Sequence, residues 1–158
     1  MDIEELERKH AYMNLLEDFQ DLPDKMQAAM EAVKKQLRSA ARGGRLEEVR
    51  QAVKRGADVH SANDGGVTAL HHAGQFGHEE VAAFLIGEGA DLNARTKKLW
   101  TPLMWAAVNG HARLVKLLLE AGADPALKNK WGDTARDGAR MQNRLAAIAE
   151  LDAWEVRA

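Results

Sequence analysis

Gly-Ala-Asp recurs at 56–58, 89–91 and 122–124, a step of 33 residues each time. Thr68, Thr101 and Thr134 keep the same step, as do Gly44, Gly77 and Gly110. A fixed period of this length means one supersecondary unit used about four times. Such a unit cannot bury its apolar face alone, so the units must stack and share a continuous seam.

Each unit reads as a turn, a short helix, a bend at Gly-His or Gly-Arg, a second helix and a glycine that stops it. Leu70, Ala73, Val81, Leu85 and Ile86 fall at helical spacing, and Leu103, Ala106, Leu114, Val115, Leu118 and Leu119 supply the next layer. Two positions break the pattern. Gly74 stands where the following unit has Ala107, which predicts a soft spot from a helix-propensity loss of about 1 kcal/mol. Leu99 stands where the flanking turns have Gly66 and Gly132; if that turn needs a positive φ, the leucine strains or remodels it.

The segments TALHHAGQFGHEEVAAFLIGEGADLNA and TPLMWAAVNGHARLVKLLLEAGADPA closely resemble ankyrin repeats, over roughly residues 35 to 152. The resemblance implies an all-α solenoid of stacked helix-turn-helix units at 35–62, 63–95, 96–128 and 129–152, followed by a tail at 153–158. The outer units depart from the motif, with Lys35-Gln36 before Leu37 and Ala-Arg-Asp-Gly after Thr134, as suits capping units whose outer faces meet water. It also implies a non-catalytic protein-interaction module: an adaptor, scaffold or inhibitor that binds another protein through its concave face and turn tips. The candidate residues on those surfaces are His72, Gln75, Phe76, Lys97, Lys98, Trp100, Trp105, Val108, Asn109, Lys130, Trp131 and Met141. Large aromatics in rows otherwise small or polar support this reading, since Trp is enriched at interface hot spots; packing between adjacent turns is the alternative. Leu85 with Asp91-Leu92-Asn93 is similar to the pattern that asparaginyl hydroxylases modify, although Asn93 is also an ordinary turn residue.

His71, His72 and His78 beside Glu79 and Glu80 pose the question of a metal-dependent enzyme. Thirty-three residues on, His71 becomes Met104 and His72 becomes Trp105, and only His78 recurs, as His111. A metal needs its ligands in one place, whereas His78 and His111 mark equivalent bends in successive units. The resemblance gives His71 a structural task, capping its own helix. The expectation is structural histidines, no catalytic or metal site and no cofactor.

A net charge of −2 argues against a protein that grips phosphate backbones, and no apolar run approaches the ~18 residues of a membrane span. Nucleic acid and membrane are therefore not expected partners. The absence of cysteine removes disulfides and thiolate chemistry and permits a cytoplasmic or nuclear location. Charge is unevenly spread. Residues 95–130 hold seven basic side chains against Glu120 and Asp124, so the turn edge there should be electropositive and favour a partner with an acidic or apolar segment.

Residues 1–34 have no counterpart in the repeat. Met26, Met30, Val33 and Leu37 predict one helix from Asp24 to about Arg42, opened by Pro23 and running into the first unit. Ile3 to Phe19 is expected to fold back on it as an α-helical hairpin. Residues 1–24 carry eight acidic groups against Arg8 and Lys9. A capping hairpin that also leans over the basic edge, and a monomer or weak homodimer joined through these helices, both fit that charge.

Overall fold

The computed structural model describes Glu7 and residues 22–157. The expected first helix of the hairpin, Ile3 to Phe19, lies outside the described residues apart from Glu7. Eight helices follow: α1 (Leu22–Arg42), α2 (Leu46–Lys54), α3 (Ala69–Phe76), α4 (Glu79–Gly87), α5 (Pro102–Val108), α6 (Ala112–Ala121), α7 (Ala135–Met141) and α8 (Leu145–Arg157). Odd-numbered helices pack on one another in sequence as an inner layer, and even-numbered helices form the outer one. That is the stack of antiparallel pairs the period requires.

Matching positions perform matching work. Leu37, Leu70 and Leu103 are buried in successive inner helices, and Ala52, Leu85, Leu118 and Leu151 in successive outer ones. The inner-helix leucine row ends at Arg136, whose Nη2 pairs with Asp152 Oδ1 at 2.8 Å and Glu155 Oε2 at 2.7 Å. A charged residue in the leucine register closes the stack, because no further unit covers that face within the described residues. α8 accordingly runs past residue 152 to Arg157, where a tail was expected, with Trp154 packed against the core. At the other end α1 is a single helix from Leu22. Its Leu22, Met26 and Met30 are exposed, on a stripe that continues into half-buried Val33 and buried Leu37.

The helix starts are capped by the repeated threonine. Thr68 and Thr134 form reciprocal capping boxes with His71 and Asp137, while Thr101 accepts from the Met104 N–H and is followed by Pro102 at the first helical position. The bends require a left-handed residue: φ is 67° at Gly44, 73° at Gly77, 78° at Gly110 and 53° at Asn143. Sterics add to this. A Cβ on Gly77 would sit 2.6 Å from His111 Nδ1, because that imidazole lies across the bend to reach the Gln75 carbonyl at 3.0 Å. His78 reaches the Arg42 carbonyl in the same way at 2.9 Å, and Arg144 Nε reaches Val108 O at 3.0 Å. One polar bond therefore ties each unit to the previous one at the same place, with arginine replacing histidine at the last step.

The expected soft spot at Gly74 is not what the packing shows. A Cβ there would come within 2.8 Å of the Pro102 carbonyl oxygen on the next inner helix. The glycine is the condition for that close approach, and the propensity it gives up is the cost of stacking α3 against α5.

Candidate functional site: the concave groove

Between the inner helices and the turns of the second and third units lies an open groove of about 500 Å³. Its lining is Gly65, Val67, Gln75, Thr96, Lys97, Lys98, Trp100, Trp105 and Asn109. α3 contributes Gln75, α5 contributes Trp105, and Asn109 caps the α5 C-terminus, donating from Nδ2 to Trp105 O at 2.7 Å.

The wall is built from stacked hairpin tips. Within a tip, Asn63 Oδ1 accepts from Gly65 N and Val67 N, and Asn129 Oδ1 accepts from Trp131 N and Asp133 N. The third unit has Thr96 at this place, and its Oγ1 accepts from Trp100 N at 3.1 Å. Consecutive tips are then zipped together: Lys97 N donates to Gly65 O at 2.9 Å and Lys130 N to Lys98 O at 3.0 Å. The Arg95 guanidinium adds a bond to the Lys128 carbonyl, and Lys98 Nζ lies 5.8 Å from the centre of the Trp131 ring.

Behind the floor sits His71, fully buried, its ring edge-on to Trp105 with centroids 5.3 Å apart. Thr68 N donates to Nδ1 at 3.2 Å, which leaves Nε2–H to donate to Trp100 O at 2.9 Å. Burial holds its pKa down at about 4, so the imidazole stays neutral. Both ring nitrogens are occupied, and His78 binds a carbonyl in another layer, so the three histidines do not converge on a point. Among the described residues no group of three or more His, Asp or Glu side chains could hold a metal ion.

Six of the candidate residues, Gln75, Lys97, Lys98, Trp100, Trp105 and Asn109, come together in the groove. Lys130 and Trp131 sit on the adjoining tip. The other four do not line it. His72 is half-buried with its ring edge toward Trp105 at 6.3 Å, its pKa lowered by burial and then by Arg42 and Arg38. Phe76 is exposed near the bend, stacked on His78 at 6.2 Å with the Arg42 guanidinium 5.7 Å from its centre. Met141 is exposed on the last inner helix, and Val108 packs against Gly138 of the next unit. Sequence reasoning missed Gly65, Val67 and Thr96, although each occupies a repeat position beside a tip. Asn93 is a turn residue whose Oδ1 accepts from Asp124 N at 2.9 Å, linking two units.

Stacked helix pairs with zipped hairpin tips define a helical repeat solenoid. A family model of ankyrin repeats, in three copies, matches residues 37–129, more than half of the chain, and the chain belongs to the ankyrin-repeat family. Ankyrin repeats are generally protein–protein interaction modules. Comparison with curated proteins returned no match.

Proposed function

We propose that this chain is a non-catalytic interaction module, an adaptor, scaffold or inhibitor, which receives a segment of another protein in the groove between Gln75, Trp100, Trp105 and Asn109. The observation that carries this reading is the groove itself: an apolar floor centred on Trp105, open to solvent, with Lys97 and Lys98 on its rim. Apolar floors with a few placed polar groups are where binding energy concentrates, and rim charge selects the partner and speeds its approach. The chemistry favours an extended or helical segment with apolar and acidic side chains.

Asn109 is exposed and Gln75 half-buried, so arginine at either position fills the groove without disturbing the core. Partners captured by the wild-type chain and identified by mass spectrometry should be lost from both variants. Retention of the same partners by both would refute the reading. Self-association is a second reading, favoured by the exposed stripe of Leu22, Met26 and Met30. Light scattering of the full chain and of Met26→Lys decides it: a dimer that the substitution dissociates supports this reading, and a monomer ends it.

A further inference from the structure

Residues 30–33 stand one period before the hairpin tips at 63–66 and 96–99, yet α1 runs through them as continuous helix from Leu22. The first unit therefore has a helical extension where the later units have a tip. Every residue from 22 to 32 is exposed, including Leu22, Met26 and Met30 at 44%, 60% and 42%. Those three side chains, with Pro23 and Gln27, line an open apolar groove of about 530 Å³. A helical stretch this short is marginal in water by itself, and a stripe of large apolar groups along it marks a face that another element covers.

The chain carries a matching element immediately before it. Within residues 1–21, Tyr12, Leu15, Leu16 and Phe19 fall at steps of three and four, on one face of a helix. That face is about 10 Å long, against about 12 Å from Leu22 to Met30. With a reversal at Gln20-Asp21 the two stripes run antiparallel, bringing Phe19 level with Leu22, Leu16 with Met26 and Tyr12 with Met30. Charge selects this occupant over a second copy. Residues 22–38 carry Lys25, Lys34, Lys35 and Arg38 against Asp24 and Glu31, so α1 of another molecule would meet like charge. Residues 1–21 carry seven carboxylates against Arg8 and Lys9, the opposite balance. Attachment adds to the preference, since a segment joined at the edge of its groove has an effective concentration of about millimolar.

We infer that residues 12–19 dock as a helix along the Leu22–Met26–Met30 stripe, so that the chain's own acidic N-terminal segment occupies this groove. The inference stands apart from the reading of the concave groove. It gives the expected hairpin its register, and it assigns to the stripe an intramolecular cover in place of self-association.

The chain has no cysteine, so disulfide trapping tests the register in the full-length protein. Two cysteines bridge only when their Cα atoms come within about 7 Å. Leu16→Cys/Met26→Cys should close an intramolecular disulfide on mild oxidation and remain a monomer on a non-reducing gel. Asn14→Cys/Met26→Cys, with the first thiol about 200° around the helix, should close at least tenfold more slowly. Met26→Ala should lower the melting temperature of the full chain by about 4 °C, equally at every protein concentration. At a site facing water the same change would be neutral or stabilising, because alanine is the better helix former. A covalent dimer of Leu16→Cys/Met26→Cys gives the stripe to a second copy and overturns the inference. Trapping of both pairs at equal rates, or of neither, overturns it as well, and so does a Met26→Ala melting temperature equal to or above that of the wild type.

Discussion

The Nε2 of His71 lies 2.9 Å from the carbonyl oxygen of Trp100, one repeat further along the chain, while its Nδ1 accepts from the Thr68 N–H. One buried imidazole thus caps its own helix and fastens the turn that forms the groove wall. The chemistry of the side chain is used for architecture, and it requires the neutral ring.

Acid should loosen this fastening. The unfolded chain's imidazole takes up a proton near pH 6.5, whereas in the fold His71 resists protonation down to about 4. Between those values the unfolded state binds more protons, so stability rises with pH across the window and is lost on acidification. The contribution of this group between pH 7 and pH 4 is about 3 kcal/mol. Urea unfolding of the wild type and His71→Gln from pH 4 to 7 checks it; the variant should show a flatter slope.

Gly77 and His111 should behave as a coupled pair. Gly77→Ala places a side chain at φ 73° and 2.6 Å from the His111 ring, and should cost more than about 2 kcal/mol. His111→Ala alone removes the bond to Gln75 O, at about 1 kcal/mol. With the ring gone the added methyl loses its clash, so the double variant should be less destabilised than the sum. Chemical denaturation of the four proteins measures the coupling.

Gly74→Ala should destabilise the protein, although alanine is the better helix former by about 1 kcal/mol. The 2.8 Å approach to the Pro102 carbonyl forces α3 and α5 apart when a methyl is added. A melting temperature above that of the wild type would show that propensity wins over packing.

Arg136→Leu should extend the leucine row to the open end of the stack, beside Pro125, Ala126 and Leu151. Removing the pairs to Asp152 and Glu155 costs about 1 kcal/mol or less, since both carboxylates are largely exposed. The new apolar patch should promote association through the stack end. Light scattering at rising concentration tests this.

The repeat, the helix pairs and the leucine rows were legible because a 33-residue period makes every buried position appear several times. Leu99 and Gly74 stood out for the same reason, as departures from their register. The meaning of Gly74 was hidden, since propensity is a property of one helix while the close contact belongs to two. Most of the groove could be read from Trp100, Trp105 and the lysines. Its Gly65–Val67–Thr96 wall could not, because Gly65 and Val67 are held there through their backbone N–H groups on Asn63 and Thr96 through its bond to the Trp100 N–H, and none of the three is a large or charged side chain that marks a surface in the sequence. The separation of Phe76 and Met141 from the groove likewise depends on where along the inner helices each residue falls.

The most direct test of the account is a hydrogen-exchange footprint of the full chain with and without a captured protein partner. Protection confined to residues 65–67, 75, 96–109 and 130–132 is the predicted result, with the outer helices α4 and α6 unchanged. Protection of α4 and α6 while residues 96–109 exchange freely would place the partner on the opposite face and contradict the account.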